Sequence, residues 1–402
     1  MIGFVRVCGS VALVVSAAAC KFPELAPVDE IDATIDAAGG DDGGGIDAAT
    51  DAVPCEGDRY GFTLSNVAHC DVPTATAALD LSNVANIDSF AGTMTSAGGS
   101  TTMLPGTALV PQTGGPTVRV VSVTSLMLPA STTVNIRGEN PIAFLVRGDA
   151  MIAGTFRLTG GLHPSSIPAG TRGLCASGGS GTNGLGVGIG GGGGGGALGN
   201  AGGAGGYGAN DTTNDGAPGT PLSAPSRSPL WGGCAGSTGN EGTAAGAGGG
   251  AIQISAEGTI VISGTIASGG GGGNAVGSGS PGGGGGGSGG MLLLEAKTEI
   301  MGAGNLTANG GAGGGGGGGG GSATAGQVAC DACSTPVNGG GAGGAGAGYG
   351  GAGAAGGTPA APGTNGTYSG GGGGGGAGLI FLRSPSIAVT GVISPSARQS
   401  TL

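Results

Sequence analysis

The chain has 402 residues, of which 106 are glycine, 9% are charged and 3% are aromatic. Glycine adds no side chain to a core and loses much conformational entropy on folding, so these residues contribute little hydrophobic stabilisation. A net charge of −11 with twelve scattered lysines and arginines argues against nucleic acid as a partner. Glycine does not recur at every third position along the whole chain with abundant proline, which excludes collagen.

The first 19 residues are predicted to be a signal peptide. The apolar run over residues 7–19 is too short for a comfortable transmembrane helix. Three alanines directly precede Cys20, as in a bacterial lipobox, although Ala17 replaces the usual leucine. We therefore expect lipidation of Cys20 and a membrane partner through that lipid. The alternative is an ordinary secretory signal cut near Ala19, with Cys20 left as a free thiol.

Residues 20–54 are predicted to be the lipid-anchor cysteine followed by an acidic, disordered tether. Nine acidic residues and a single lysine give residues 21–54 a net charge of −8. Such a self-repelling segment of small residues is expected to stay extended. Its acidic residues lack the spacing and closing glutamate of a calcium loop, so no metal or cofactor is predicted. Residues 55–117 are then predicted to be a small cysteine-containing region.

Four similar segments follow; they align without gaps over about 17 residues, and each alternates apolar residues and carries a glycine at the same place. They start at Ile142, Ile252, Leu292 and Leu379, and their shared glycines are Gly154, Gly264, Gly304 and Gly391. A spacing of two residues places the apolar side chains on one face of a half-buried strand. Ile254, Leu294 and Phe381 are therefore expected to point into one core. β-Branched runs at residues 118–128 and 133–136 predict further strands.

One such repeat buries too few side chains to fold alone, so the copies are expected to stack around a continuous core. The predicted fold is mainly β: a parallel β-helix-like β-solenoid over residues 118–402, with long glycine-rich loops. A β-sandwich of the same strands is the alternative. The sequence is compatible with two arrangements of the glycine tracts: mobile loops, or polyglycine helices packed side by side.

Six cysteines remain after Cys8 and Cys20, and an even number in an exported chain favours disulfides. The candidates are Cys55, Cys70, Cys175, Cys234, Cys330 and Cys333. Cys55 with Cys70, and Cys175 with Cys234, are the pairs that their spacing favours. The CxxC of Cys330 and Cys333 predicts a small loop disulfide, with a redox motif or part of a zinc site as alternatives.

The lipobox-like Cys20, the Asp/Ala tether and the strand repeats beside glycine tracts, such as residues 250–256, resemble the glycine-rich predicted lipoproteins of myxobacteria. The chain is superficially similar to mycobacterial glycine-rich surface proteins as well, but their N-terminal domain is absent. This resemblance implies a location in the cell envelope and no established activity.

The combined prediction is a non-enzymatic cell-envelope lipoprotein at the outer membrane or cell surface, with a structural or adhesive role. Envelope or extracellular matrix polysaccharide is the candidate partner. Only two histidines exist, His69 and His163, and no catalytic residue is predicted. The alternative functions are a carbohydrate-binding or carbohydrate-active β-helix with its site on a loop-flanked face, and ice or matrix binding by packed polyglycine segments.

Overall fold

The computed structural model describes residues 60–160, 184, 190–209, 213, 215–275, 279–319, 321–335 and 339–402. The predicted signal peptide, Cys20 and acidic tether lie outside the described residues. The described part of the chain is nearly all β, apart from two short 3₁₀ turns at His69–Asp71 and Asn240–Gly242. No helix among these residues is long and apolar enough to span a bilayer.

The strands of the described residues are numbered in chain order. They are β1 (Leu79–Asp80), β2 (Val84–Asp88), β3 (Thr93–Ser96), β4 (Thr101–Met103), β5 (Thr107–Val110), β6 (Val118–Val123), β7 (Leu126–Leu128), β8 (Thr133–Arg137), β9 (Ile142–Val146), β10 (Ala150–Ile152), β11 (Thr155–Arg157), β12 (Ala251–Ala256), β13 (Thr259–Ile262), β14 (Thr265–Ala267), β15 (Met291–Ala296), β16 (Glu299–Gly302), β17 (Asn305–Thr307), β18 (Leu379–Arg383), β19 (Ile387–Val389), β20 (Ile393–Ser394) and β21 (Arg398–Ser400).

These strands form three sheets that wind around one core. Sheet A has the order β1-β7-β10-β13-β16-β19, sheet B the order β20-β17-β14-β11-β8-β2-β3-β4, and sheet C the order β21-β18-β15-β12-β9-β6-β5. Successive strands pass from sheet C to A to B, and equivalent strands of neighbouring turns pair in parallel. At the N-terminal end, β3, β4 and β5 pair antiparallel and cap sheets B and C. The predicted parallel β-solenoid is confirmed.

Each repeat is one complete three-stranded rung, as β9, β10 and β11 illustrate. The shared glycine occupies the corner between the second and third strands. A Cβ on Gly264 would lie 1.9 Å from the carbonyl oxygen of Gly154, and one on Gly391 would lie 2.0 Å from that of Gly304. Neighbouring corners therefore stack too closely for a side chain, which explains why the four copies share this residue.

The predicted core is confirmed for three copies and wrong in part for the fourth. Ile254 and Leu294 are fully buried in the interior of the solenoid. In β18, however, Ile380 rather than Leu379 pairs with Leu292, and Phe381 points away from that interior. The fourth copy has one residue fewer between its first strand and Gly391, so the gapless alignment shifted this strand by one position and reversed its faces.

The solenoid also contains a rung outside the four copies. β6, β7 and β8 pair with β9, β10 and β11, and their inward side chains join the same core. Thr132 occupies the corner position, and its carbonyl oxygen is the atom that a Cβ on Gly154 would meet. β1 and β2, which precede residue 118, also belong to sheets A and B, where they pair with β7 and β8.

The central strands of sheet C are covered on both faces. Ala143 and Leu145 point out of the solenoid but pack under the segment 60–72, through Tyr60 and Leu64. Further along the sheet, outward residues such as Leu293 pack against a second apolar cluster that includes Leu198 and Leu230. Every residue of β9, β12 and β15 is buried; β9 is wholly apolar and β15 nearly so, whereas Gln253 and Ser255 alternate with apolar residues in β12.

The glycine tracts extend the corners between sheets B and C into an ordered bundle. Their backbone hydrogen bonds recur every third residue, as in the bonds from Gly283 to Gly370, Gly286 to Gly373 and Gly289 to Gly376. A repeat of three residues is the period of the polyproline II helix, which glycine chains also adopt. The described glycine tracts are therefore polyglycine helices packed side by side, and not mobile loops.

The centre of this polyglycine bundle is packed hexagonally. The helix over residues 282–290 bonds to six neighbours, at residues 190–198, 233–239, 243–250, 268–274, 308–316 and 370–378. The helices over residues 308–316 and 370–378 are each surrounded in the same way. At the edge only every third residue faces inward: Gly216 and Gly219 are buried, whereas Ala217 and Pro218 are exposed. The centre is therefore almost all glycine, with a few small buried side chains such as Ser288 and Ala312, and the edge shows a local Gly-x-x pattern.

Candidate functional site

A buried carboxylate on the outer face of sheet C holds the segment 60–72 in place. Glu295 is completely buried and accepts hydrogen bonds from three neutral side chains, and it pairs with one arginine. The partners are Ser65 Oγ (2.5 Å), Gln253 Nε2 (3.0 Å), Ser255 Oγ (2.9 Å) and Arg383 Nη1 (3.1 Å). Both oxygens of Glu295 are thus engaged. We call this group the polar clamp. Its hydrogen bonds and ion pair stabilise the packing of the segment 60–72 against sheet C.

Tyr60 fixes the start of the same segment to β9 and β12, two central strands of sheet C. Its hydroxyl donates to the Val146 carbonyl (2.7 Å) and accepts from the Val146 N–H (3.0 Å), and it also contacts the Ser255 carbonyl. The Arg147 guanidinium lies over the ring, 5.1 Å from its centroid. Burial of the hydroxyl raises the pKa of Tyr60 well above its ordinary value, so the folded chain holds the neutral phenol.

This burial predicts a loss of stability at high pH. The phenol of an unfolded chain titrates near pH 10, and the folded chain resists that ionisation. The contribution of Tyr60 is therefore fully present below about pH 10 and falls by up to about 1.4 kcal/mol per pH unit above it. Urea unfolding between neutral and alkaline pH measures this slope. Tyr60→Phe is expected to flatten it, whereas Tyr349→Phe, at an exposed ring, keeps the wild-type slope. Equal slopes in the wild type, Tyr60→Phe and Tyr349→Phe would contradict the assignment of this pH dependence to Tyr60.

The first surface groove lies between the outer face of sheet B and the loop that contains Cys330 and Cys333. This sheet B groove has a volume of about 490 Å³. Its loop wall is held by Asp331, which pairs with Arg157 and accepts a hydrogen bond from Thr159 Oγ1 at 3.0 Å. Asn135 and Arg137 line the groove from the sheet. Asp331 is the single carboxylate among its lining residues, so this groove does not bring together the two carboxylates of a glycosidase.

The predicted loop disulfide is present: Cys330 and Cys333 are bonded, with an S–S distance of 2.04 Å. This bond engages both thiols, which favours a disulfide over the zinc alternative. It does not distinguish a structural loop disulfide from an oxidised redox pair. Cys70 and Cys234 each take part in a disulfide as well. Their predicted partners, Cys55 and Cys175, lie outside the described residues, so those two pairings stay predictions.

A second groove of about 580 Å³ lies between the segment 60–72 and the loop at residues 224–228. Arg227, Phe381 and Arg383 line it, with hydroxyl groups from Thr63, Ser65 and Ser226. Arg398 reaches over the Phe381 ring, 5.9 Å from its centroid, and donates a hydrogen bond to the Pro225 carbonyl at 3.2 Å. No carboxylate is among the lining residues. We call this the arginine groove.

Sequence reasoning identified none of the residues of the polar clamp or the arginine groove. Ser255, Glu295 and Arg383 occupy equivalent positions in neighbouring rungs and so lie side by side on sheet C. The available signal was a charged residue inside each of two apolar strands, Glu295 in β15 and Arg383 in β18. A correct alignment of the fourth copy would have placed them in register.

Comparison with known proteins identifies no relative: no protein-family model, curated protein or solved structure matches the chain. Among the described residues, no three histidine, cysteine or acidic side chains are grouped so that they could hold a metal ion.

Proposed function

We propose that this chain is a lipid-anchored cell-envelope protein with a structural or adhesive role. One observation carries the proposal: two carboxylates of the described residues, the fully buried Glu295 and the partly exposed Asp331, brace segments of one continuous hydrogen-bonded body. Glu295 fastens the segment 60–72, and Asp331 fastens the disulfide loop. The polyglycine bundle adds rigid volume with few charged side chains. A stiff body of this kind suits display and contact at a surface.

Membrane anchoring is tested by replacing Cys20. In the native envelope fraction, mass spectrometry is expected to find the peptide that begins at Cys20 with a diacylglyceryl group. Cys20→Ala should release the protein into the soluble fraction, because the lipid is removed with the thiol. Cys8→Ala, a matched change inside the signal peptide, should leave the protein in the membrane. An unmodified Cys20 peptide, together with continued membrane binding of Cys20→Ala, would contradict the anchor.

Carbohydrate binding is a second function that a specific observation favours. Both grooves lie on outer faces of the solenoid beside loops, and both are lined by guanidinium and hydroxyl groups that suit a sugar. The test is calorimetric titration with maltotriose, a neutral trisaccharide, and trigalacturonate, an acidic one. Binding of either supports this function, and binding of neither contradicts it without bearing on the lipid anchor.

A further inference from the structure

The arginine groove is a basic site on an acidic protein. The chain carries twelve lysines and arginines against 23 acidic residues. Three of the twelve, Arg227, Arg383 and Arg398, gather at this one groove. No carboxylate lines the groove, and Glu295, which pairs with Arg383, is fully buried. The groove therefore presents net positive charge, and such a cluster attracts an anionic ligand.

Two of the three arginines, Arg383 and Arg398, are held in place before any ligand binds. Nη1 of Arg383 donates to Glu295 (3.1 Å) and to the Thr63 carbonyl (2.7 Å), while its Nε is buried without a hydrogen-bond partner. Arg398 is positioned by the Pro225 carbonyl and the Phe381 ring. On the opposite wall, the exposed Arg227 belongs to a loop whose backbone is fixed by Asn66, which donates to the Arg227 carbonyl at 3.0 Å. A guanidinium fixed in this way loses less side-chain entropy when it binds an anion.

We propose that the arginine groove binds an acidic oligosaccharide, with its anionic groups paired to Arg227, Arg383 and Arg398. Planar guanidinium groups pair with carboxylate or sulfate through two parallel hydrogen bonds. The volume of about 580 Å³ lies within the range of small-ligand sites, and the hydroxyls of Ser65 and Ser226 offer partners for sugar hydroxyls. A single-stranded nucleic acid would need a succession of aromatic rings to stack on, whereas Phe381 is the one ring lining the groove and Arg398 lies over it. This proposal rests on the second proposed function, carbohydrate binding, and specifies acidic oligosaccharides as the ligand class.

Titration of the purified full chain with trigalacturonate tests the site. We expect binding that weakens between about 50 mM and about 200 mM salt, because the attraction is electrostatic. Arg227→Gln and Arg398→Gln are each expected to weaken it about tenfold, the size of one lost charge-assisted hydrogen bond. Both side chains are on the exposed rim, so thermal unfolding should be unchanged and the loss can be assigned to the site. Arg383 is avoided, because its replacement would disrupt the polar clamp.

Arg137→Gln is the matched control, since Arg137 lines the sheet B groove instead. It should leave the affinity for trigalacturonate within about twofold of the wild type. The proposal is overturned if Arg227→Gln and Arg398→Gln bind as the wild type does, or if Arg137→Gln alone loses binding. It is also overturned if inorganic phosphate binds as tightly as trigalacturonate, which would reduce the groove to a simple anion site. If maltotriose binds and Arg137→Gln abolishes that binding, a neutral sugar occupies the sheet B groove. If trigalacturonate then does not bind at all, carbohydrate binding is supported but the proposed ligand of the arginine groove is overturned.

Discussion

Gly286→Ala is expected to lower the free energy of unfolding by about 3 kcal/mol, at the upper end of the cost of overpacking a core. The new Cβ would lie 2.1 Å from the carbonyl oxygen of Gly311 and 2.7 Å from its carbonyl carbon. These are backbone atoms of a neighbouring polyglycine helix, and that helix is itself packed on every side, so it cannot move away without breaking other hydrogen bonds. Urea unfolding, followed by circular dichroism, measures the loss.

Gly357→Ala is the matched control for this substitution. No atom lies within 4 Å of a Cβ built on Gly357, and its backbone does not have the positive φ that disfavours alanine. The control is expected to leave stability within about 0.5 kcal/mol of the wild type, as for most surface changes. If Gly286→Ala were equally harmless, the hexagonal packing of the polyglycine bundle would be wrong.

Glu295→Ala is expected to lower the free energy of unfolding by about 3–5 kcal/mol, the usual cost of removing one partner of a buried ion pair. The change leaves the largely buried Arg383 without its carboxylate, and it also removes the acceptor for Ser65, Gln253 and Ser255. The segment 60–72 should then detach from sheet C more readily. Hydrogen exchange of this segment is expected to accelerate more than that of the interior strands.

Glu299→Gln is the control for the polar clamp. Glu299 is partly exposed, and its carboxylate accepts a single described side-chain bond, from Ser386 Oγ at 2.9 Å. Its replacement is expected to change stability by less than about 0.5 kcal/mol. A loss in Glu295→Ala no larger than that in Glu299→Gln would show that the clamp does not hold the segment.

The alternation of apolar residues predicted the solenoid wherever one face of a strand is exposed. In sheet A the strands are short and half-buried, and inward residues such as Ile152 and Ile262 were predicted correctly. The shared glycines marked the corners for the same local reason, since each corner approaches its neighbour too closely for a side chain.

The prediction for Phe381 was wrong because both faces of β18 carry apolar side chains. Leu379, Ile380, Phe381 and Leu382 are all apolar, so the pattern carries no information about which side chains point inward. The pairing of Ile380 with Leu292 decides the register. That pairing depends on the segment that follows β18: Ile380 and Ile387 are one residue closer in sequence than their partners Leu292 and Ile300, and a gapless alignment does not allow for this.

The amino-acid sequence by itself determined that similar rungs stack, because two-residue spacing and a recurrent glycine are local properties. It also predicted the loop disulfide, because Cys330 and Cys333 are three residues apart. Tertiary structure alone decided whether the glycine tracts are ordered. A run of glycines has no side-chain pattern, and its hydrogen bonds are made to helices far away in the chain, as between Gly193 and Gly283. The polar clamp and the arginine groove likewise exist only because folding brings distant residues, such as Ser65, Glu295 and Arg383, to one face of sheet C.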